Sequence, residues 1–110
     1  MTFCKVATLD DLWSGEKLGV IVQGRPVLLV NVEGKFCAYE DRCRHKGVPL
    51  STGRLEDGVL TCSVHGWVYD VRTGRGINPE STILPSYPIK VENSDILVDV
   101  DGEASDAGRT

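Results

Sequence analysis

Two short cysteine–histidine pairs constrain this chain more than any other feature. The first is Cys43-Arg44-His45. The second, sixteen residues later, is Cys62-Ser63-Val64-His65. Together they hold the only two histidines and two of the four cysteines. A chain that concentrates these side chains in two neighbouring segments is building a metal site, and its fold must bring the segments together. Two thiolates and two neutral imidazoles can hold one zinc ion. They can also hold a [2Fe–2S] cluster, with both imidazoles on one iron and both thiolates on the other.

The spacing favours the cluster. Zinc fingers and ribbons typically start with C-x2–4-C, and C-x-H is an awkward substitute. In an extended loop Cys43 and His45 project to one side, while Arg42, Arg44 and Lys46 face outward. C-x2-H instead curls a turn around its ligand. Two similar loops approaching from opposite sides suit two irons better than one ion. Thiolates stabilise the ferric iron, and imidazoles raise the potential of the other, which becomes the one reduced.

Around these pairs the sequence reads as antiparallel all-β. Strands are expected at residues 3–7, 17–23, 26–32, 35–40, 59–61, 67–69, 87–92 and 95–100. Gly24-Arg25, Glu33-Gly34 and Asn93-Ser94 supply turns. Pro26 belongs at the first position of its strand, where a missing donor does least harm. Leu9 to Trp13 suits one helical turn capped by Thr8 or Asp10, with Trp13 packed on the sheet. Residues 41–84 are rich in glycine and, apart from 59–61 and 67–69, are expected to be loops. The chain is one domain over residues 1–100, with a cluster-binding insert at about 41–84 and a mobile tail at 101–110.

Cys4 and Cys37 lie far from the pairs, in apolar strand segments. They read as small buried hydrophobes, with a Cys4–Cys37 disulfide as the alternative. The net charge of −4 argues against a nucleic-acid partner. No apolar run approaches the roughly 20 residues needed to span a membrane. The start, Met1-Thr2-Phe3-Cys4-Lys5, does not read as a signal peptide, so a cytoplasmic location is expected.

The pattern C-x-H-x16-C-x2-H, with Gly47 and Gly66 closely following the histidines, resembles the Rieske [2Fe–2S] motif. The stretches LEDGVLTCSVHGWVYDVRTGRGINP and LPSYPIKVENSDILV are similar to small Rieske ferredoxins of multicomponent bacterial oxygenases. Gly74 to Pro79 particularly resembles those serving diiron toluene and alkene monooxygenases. CRHKGVPLSTG is generic among Rieske ferredoxins.

The resemblance implies that Cys43 and Cys62 ligate one iron and His45 and His65 the other. Leu84-Pro85-Ser86 would be the proline loop that shields the cluster. It implies an antiparallel β-sandwich with a small Rieske cluster-binding subdomain. It also implies a one-electron carrier rather than an enzyme, a monomer in isolation. Electrons would pass from an NADH-dependent flavin reductase to a terminal diiron hydrocarbon monooxygenase. The alternatives are a ferredoxin of an aromatic-ring dioxygenase, a small Rieske subunit of a nitrite reductase, and a zinc-binding interaction module.

High-potential Rieske proteins carry a disulfide between the loops. The matching positions here are Val48 and Val64. A serine that donates to a cluster sulfide there is replaced by Trp67. Tyr69 matches a tyrosine that donates to a ligand cysteine.

Overall fold

The computed structural model of the chain describes residues 3–43, 48–63, 66–78, 80 and 82–100. Among the described residues eleven strands run in order: β1 (Cys4–Thr8), β2 (Lys17–Val22), β3 (Arg25–Val32), β4 (Lys35–Glu40), β5 (Arg54–Glu56), β6 (Val59–Thr61), β7 (Val68–Asp70), β8 (Arg75–Asn78), β9 (Ser86–Tyr87), β10 (Ile89–Glu92) and β11 (Asp95–Val98). They form three antiparallel sheets, ordered β1-β11-β10, β2-β3-β4-β9 and β5-β6-β7-β8. The expected all-β architecture is what the chain adopts.

Four of the connections are two-residue hairpins: Gln23-Gly24, Glu33-Gly34, Asp57-Gly58 and Asn93-Ser94. All eight residues have positive φ. That geometry matches the right-handed twist of the flanking strands and fixes their register. The first turn therefore sits one residue earlier than expected. Arg25 is already in β3, paired with Val22, and Pro26 takes the second strand position.

β3 has a core on each face. Its run Val27-Leu28-Leu29-Val30 is wholly buried, as expected of a strand covered on both sides. Val27 and Leu29 join Leu12, Ala38, Tyr87, Ile96 and Val98 in a core between the first two sheets. Leu28, Val30 and Val32 face the other way and join Tyr39, Leu50, Leu60, Tyr69, Val71 and Leu84. This second core lies between the middle sheet and the third sheet, and it also contains Cys43 and Cys62.

Several expectations need correction. The segment 41–84 is not all loop outside 59–61 and 67–69. It holds β5 and β8, and a 3-10 turn at Leu50–Thr52. The strand expected at 87–92 is broken at Pro88, which lacks an N–H. Before it β9 pairs with β4, and after it β10 pairs with β11. The last strand stops at Val98.

Trp13 does not pack on the sheet. The turn it was expected to close is a 3-10 turn over Leu9–Asp11 only, with Asp11 accepting from the Thr8 amide at 3.0 Å and the Thr8 hydroxyl at 3.1 Å. Leu12 takes the buried place, and Trp13 is 64% exposed, its indole donating to the Asp10 carbonyl at 3.0 Å. Cys4 and Cys37 are half-buried rather than buried, and no disulfide joins them. Among the described residues no helix is long and apolar enough to cross a membrane. The expected tail, 101–110, lies outside the described residues.

Tyr39 links the middle sheet to the third. Its hydroxyl donates to the Val71 carbonyl at 2.7 Å. Burial pushes this phenol well above its usual range, helped by the neighbouring Cys37. Because the folded state holds that proton more tightly, its stabilising contribution is complete below about pH 10 and falls above it, by up to about 1.4 kcal/mol per pH unit. Chemical denaturation between pH 9 and 12 should show this loss, and Tyr39→Phe should flatten it.

Candidate metal centre

The first cysteine loop leaves β4 at Glu40 and is anchored at once. Glu40 donates its amide to the Pro85 carbonyl at 3.0 Å, and Asp41 donates to the Pro26 carbonyl at 3.1 Å. The Asp41 carboxylate is buried and accepts both the amide and the hydroxyl of Ser51, each at 2.7 Å. These two bonds close the loop from 41 to 51 across its base. Lys17 adds a bond from its ammonium to the Ser51 carbonyl at 2.5 Å. Ser51 can come this close only because residue 19 is glycine: a Cβ there would lie 2.6 Å from the Ser51 hydroxyl.

Each cysteine then closes its own loop in the same way. The Cys43 amide donates to the Val48 carbonyl at 2.7 Å, and the Cys62 amide donates to the Trp67 carbonyl at 2.7 Å. In both cases the partner is five residues ahead. The resemblance between the two cysteine–histidine segments is therefore carried by backbone geometry as well as by residue type.

Both cysteines are buried in the second core, beside Leu50, Leu60, Tyr69 and Leu84. Tyr69, from β7, places its hydroxyl 3.6 Å from the Cys43 sulfur. When that sulfur is a thiolate it has no proton, so the phenol is the donor. Leu84, from the expected proline loop, closes the same core, and Pro85 beside it is buried. Val48 and Trp67 pack on this core half-buried, so Trp67 serves in packing. His45 and His65 lie outside the described residues, as do Arg44 and Lys46, two of the three basic residues expected to face outward. Arg42 is exposed and pairs with Glu40 at 3.7 Å.

Among the described residues no group of three or more metal-ligating side chains gathers. The described part of the donor set is the two cysteine sulfurs. Two buried sulfurs on separately closed loops, one of them facing a phenol donor, fit a [2Fe–2S] cluster. They supply thiolate charge, exclude water and stabilise added negative charge at sulfur.

Sequence reasoning missed the brace around the two cysteines. Asp41, Ser51 and Gly19 are distant in the chain and follow no periodic pattern. β5 had a readable signal, since Asp57-Gly58 between Arg54-Leu55-Glu56 and Val59-Leu60-Thr61 is a hairpin signature.

Comparison with known proteins agrees with the geometry. The model of the Rieske [2Fe-2S] domain family matches residues 2–88. The ferredoxin component of an alkene monooxygenase system from Xanthobacter autotrophicus is 45% identical over 97 residues, 87% of this chain and 80% of that protein. The ferredoxin component of a biphenyl 2,3-dioxygenase from Rhodococcus jostii is 38% identical over 103 residues, 93% of this chain and 96% of that protein. Among solved structures, a chain from a complex of reduced oxygenase and oxidised ferredoxin in carbazole 1,9a-dioxygenase superposes with a TM-score of 0.81. It is 27% identical, with 94% of each chain covered.

Proposed function

Because the chain belongs to the Rieske [2Fe-2S] domain family, we propose that it is the ferredoxin of a bacterial oxygenase system, carrying single electrons from an NADH-dependent flavin reductase to a terminal diiron hydrocarbon monooxygenase. The observation that carries this reading is the 45% identity to an alkene monooxygenase ferredoxin across most of both chains. The ligands are Cys43, His45, Cys62 and His65, the two sulfurs on one iron and the two imidazoles on the other. Residues 1–100 form one domain, with the cluster-binding insert at about 41–84. The protein works in the cytoplasm, as a monomer when apart from its partners.

When bound, the cluster supplies a reversible one-electron couple with no open coordination position, so this chain makes and breaks no substrate bonds. The side chains around the sulfurs set how readily the electron is accepted. Leu50, Leu60 and Leu84 keep water from Cys43 and Cys62. Tyr69 donates to the Cys43 sulfur and so favours the more negative, reduced state. Trp67 brings no hydroxyl where a serine would donate. With that donor absent, a reduction potential of about −150 mV is expected, at the low end of the Rieske range. A redox titration well above zero would refute it.

Tyr69→Phe removes the donor and keeps the ring. The potential should fall by about 60 mV, the value of one tenfold change in a one-electron equilibrium. Voltammetry of the two proteins side by side reads this directly, and an unchanged potential would remove Tyr69 from the redox account.

The reading as a whole is tested with purified partners. The chain should be reduced by NADH through a flavin reductase and should then support turnover of a diiron alkene or toluene monooxygenase. The likeness to the biphenyl dioxygenase ferredoxin favours a second reading, service to a ring-hydroxylating dioxygenase. Turnover with that oxygenase alone would select it. Failure with both would end the reading.

A further inference from the structure

The two cysteine loops are tied to each other by hydroxyl groups. Thr52 Oγ1 lies 2.7 Å from the Pro49 carbonyl oxygen and 3.1 Å from Ser63 Oγ. A threonine hydroxyl has one proton, and here the carbonyl takes it. The Ser63 hydroxyl therefore donates to Thr52. Ser63 directly follows Cys62. Thr52 ends the 3-10 turn whose Ser51 is held by Asp41, two residues before Cys43. A short path thus joins the two cysteines through Asp41, Ser51, Thr52 and Ser63, and its two non-covalent steps are side-chain hydrogen bonds. The positions at which a disulfide would tie these loops hold Val48 and Val64.

We infer that the Thr52–Ser63 hydroxyl clasp, anchored through Asp41–Ser51, holds the two ligand loops at a fixed separation and slows loss of iron. Thr52, Ser63 and Asp41 are positioning residues. The inference rests on the reading that Cys43 and Cys62 hold the cluster. Both clasp hydroxyls are on exposed residues, so water competes for the bond and the effect of each is modest.

The test is the rate of iron release from cluster-loaded protein into excess chelator at a fixed denaturant concentration. Ser63→Ala, which removes one modest hydrogen bond, should accelerate release about threefold, and Thr52→Val, which also removes the bond to the Pro49 carbonyl, should accelerate it more. The double variant should be no faster than Thr52→Val alone, because that substitution already removes the bond to Ser63. Thr52→Ser, which keeps the hydroxyl, should restore the original rate. Asp41→Ala should accelerate release about tenfold, and Asp41→Asn, which keeps an acceptor for the Ser51 amide, should fall between. If Asp41→Ala does not fold, the exposed pair still decides the matter.

A double variant whose effect is the product of the singles overturns the clasp. So do variants that load normally and release iron at the original rate. Unsubstituted protein that contains no iron or sulfide overturns the cluster reading itself, and the clasp with it.

Discussion

Protein carrying Cys62→Ser, or His65→Ala, is expected to emerge from purification colourless and with little or no iron. Each substitution removes one of the four proposed ligands, and a structural metal centre binds only the folded arrangement of all of them. The fold also loses the binding energy. A group held a thousandfold above its dissociation constant stabilises the native state by about 4 kcal/mol. For a domain of this size that is a fall in melting temperature of about 20 °C. Iron and sulfide analysis, a visible spectrum and a thermal melt measure the three consequences independently. A brown Cys62→Ser protein with its full iron content would mean that the thiolate is not a ligand, and the electron-carrier reading would fail with it.

Gly53→Ala should be nearly as damaging, although residue 53 touches no metal. Its backbone is extended, so the conformation suits any residue. The objection is spatial, because a Cβ there would collide with the Thr61 carbonyl oxygen, and that atom belongs to the backbone of β6. The Gly53 amide meanwhile donates to the Leu50 carbonyl at 2.9 Å, which closes the 3-10 turn and fixes the backbone at residue 53. Neither side can yield without moving a cysteine loop, since Cys62 follows Thr61. A destabilisation of about 3 kcal/mol is expected, the upper part of the usual overpacking range. Denaturant melts should show it, with faster iron loss alongside. Stability equal to that of the original chain would show that the β5–β6 hairpin gives way more easily than its packing implies.

The candidate ligand set and the hairpin order were legible in the sequence for a simple reason. Both are local: two cysteine–histidine pairs at short spacing, and apolar runs separated by turn residues. β4 at Lys35–Glu40 and β6 at Val59–Thr61 fall where alternation and turns place them. What stayed hidden depends on distant contacts. β8 contains Gly76 and has a register shift where it meets β7, so no alternation marks it. Trp13 is apolar enough to suggest burial, yet Leu12 fits the core and the indole does not. Asp41 looks like any surface carboxylate until the fold brings Ser51 to it.

The strand Arg25–Val32 is read by two separate interiors at once, its even and odd residues each answering to a different one. A slip of a single position would therefore present every one of its apolar side chains to the wrong audience on both sides. Length changes in this chain should accordingly be tolerated at the two-residue corners and rejected within this strand. A one-residue insertion beside Leu29 should do more harm than several residues added between Gln23 and Gly24.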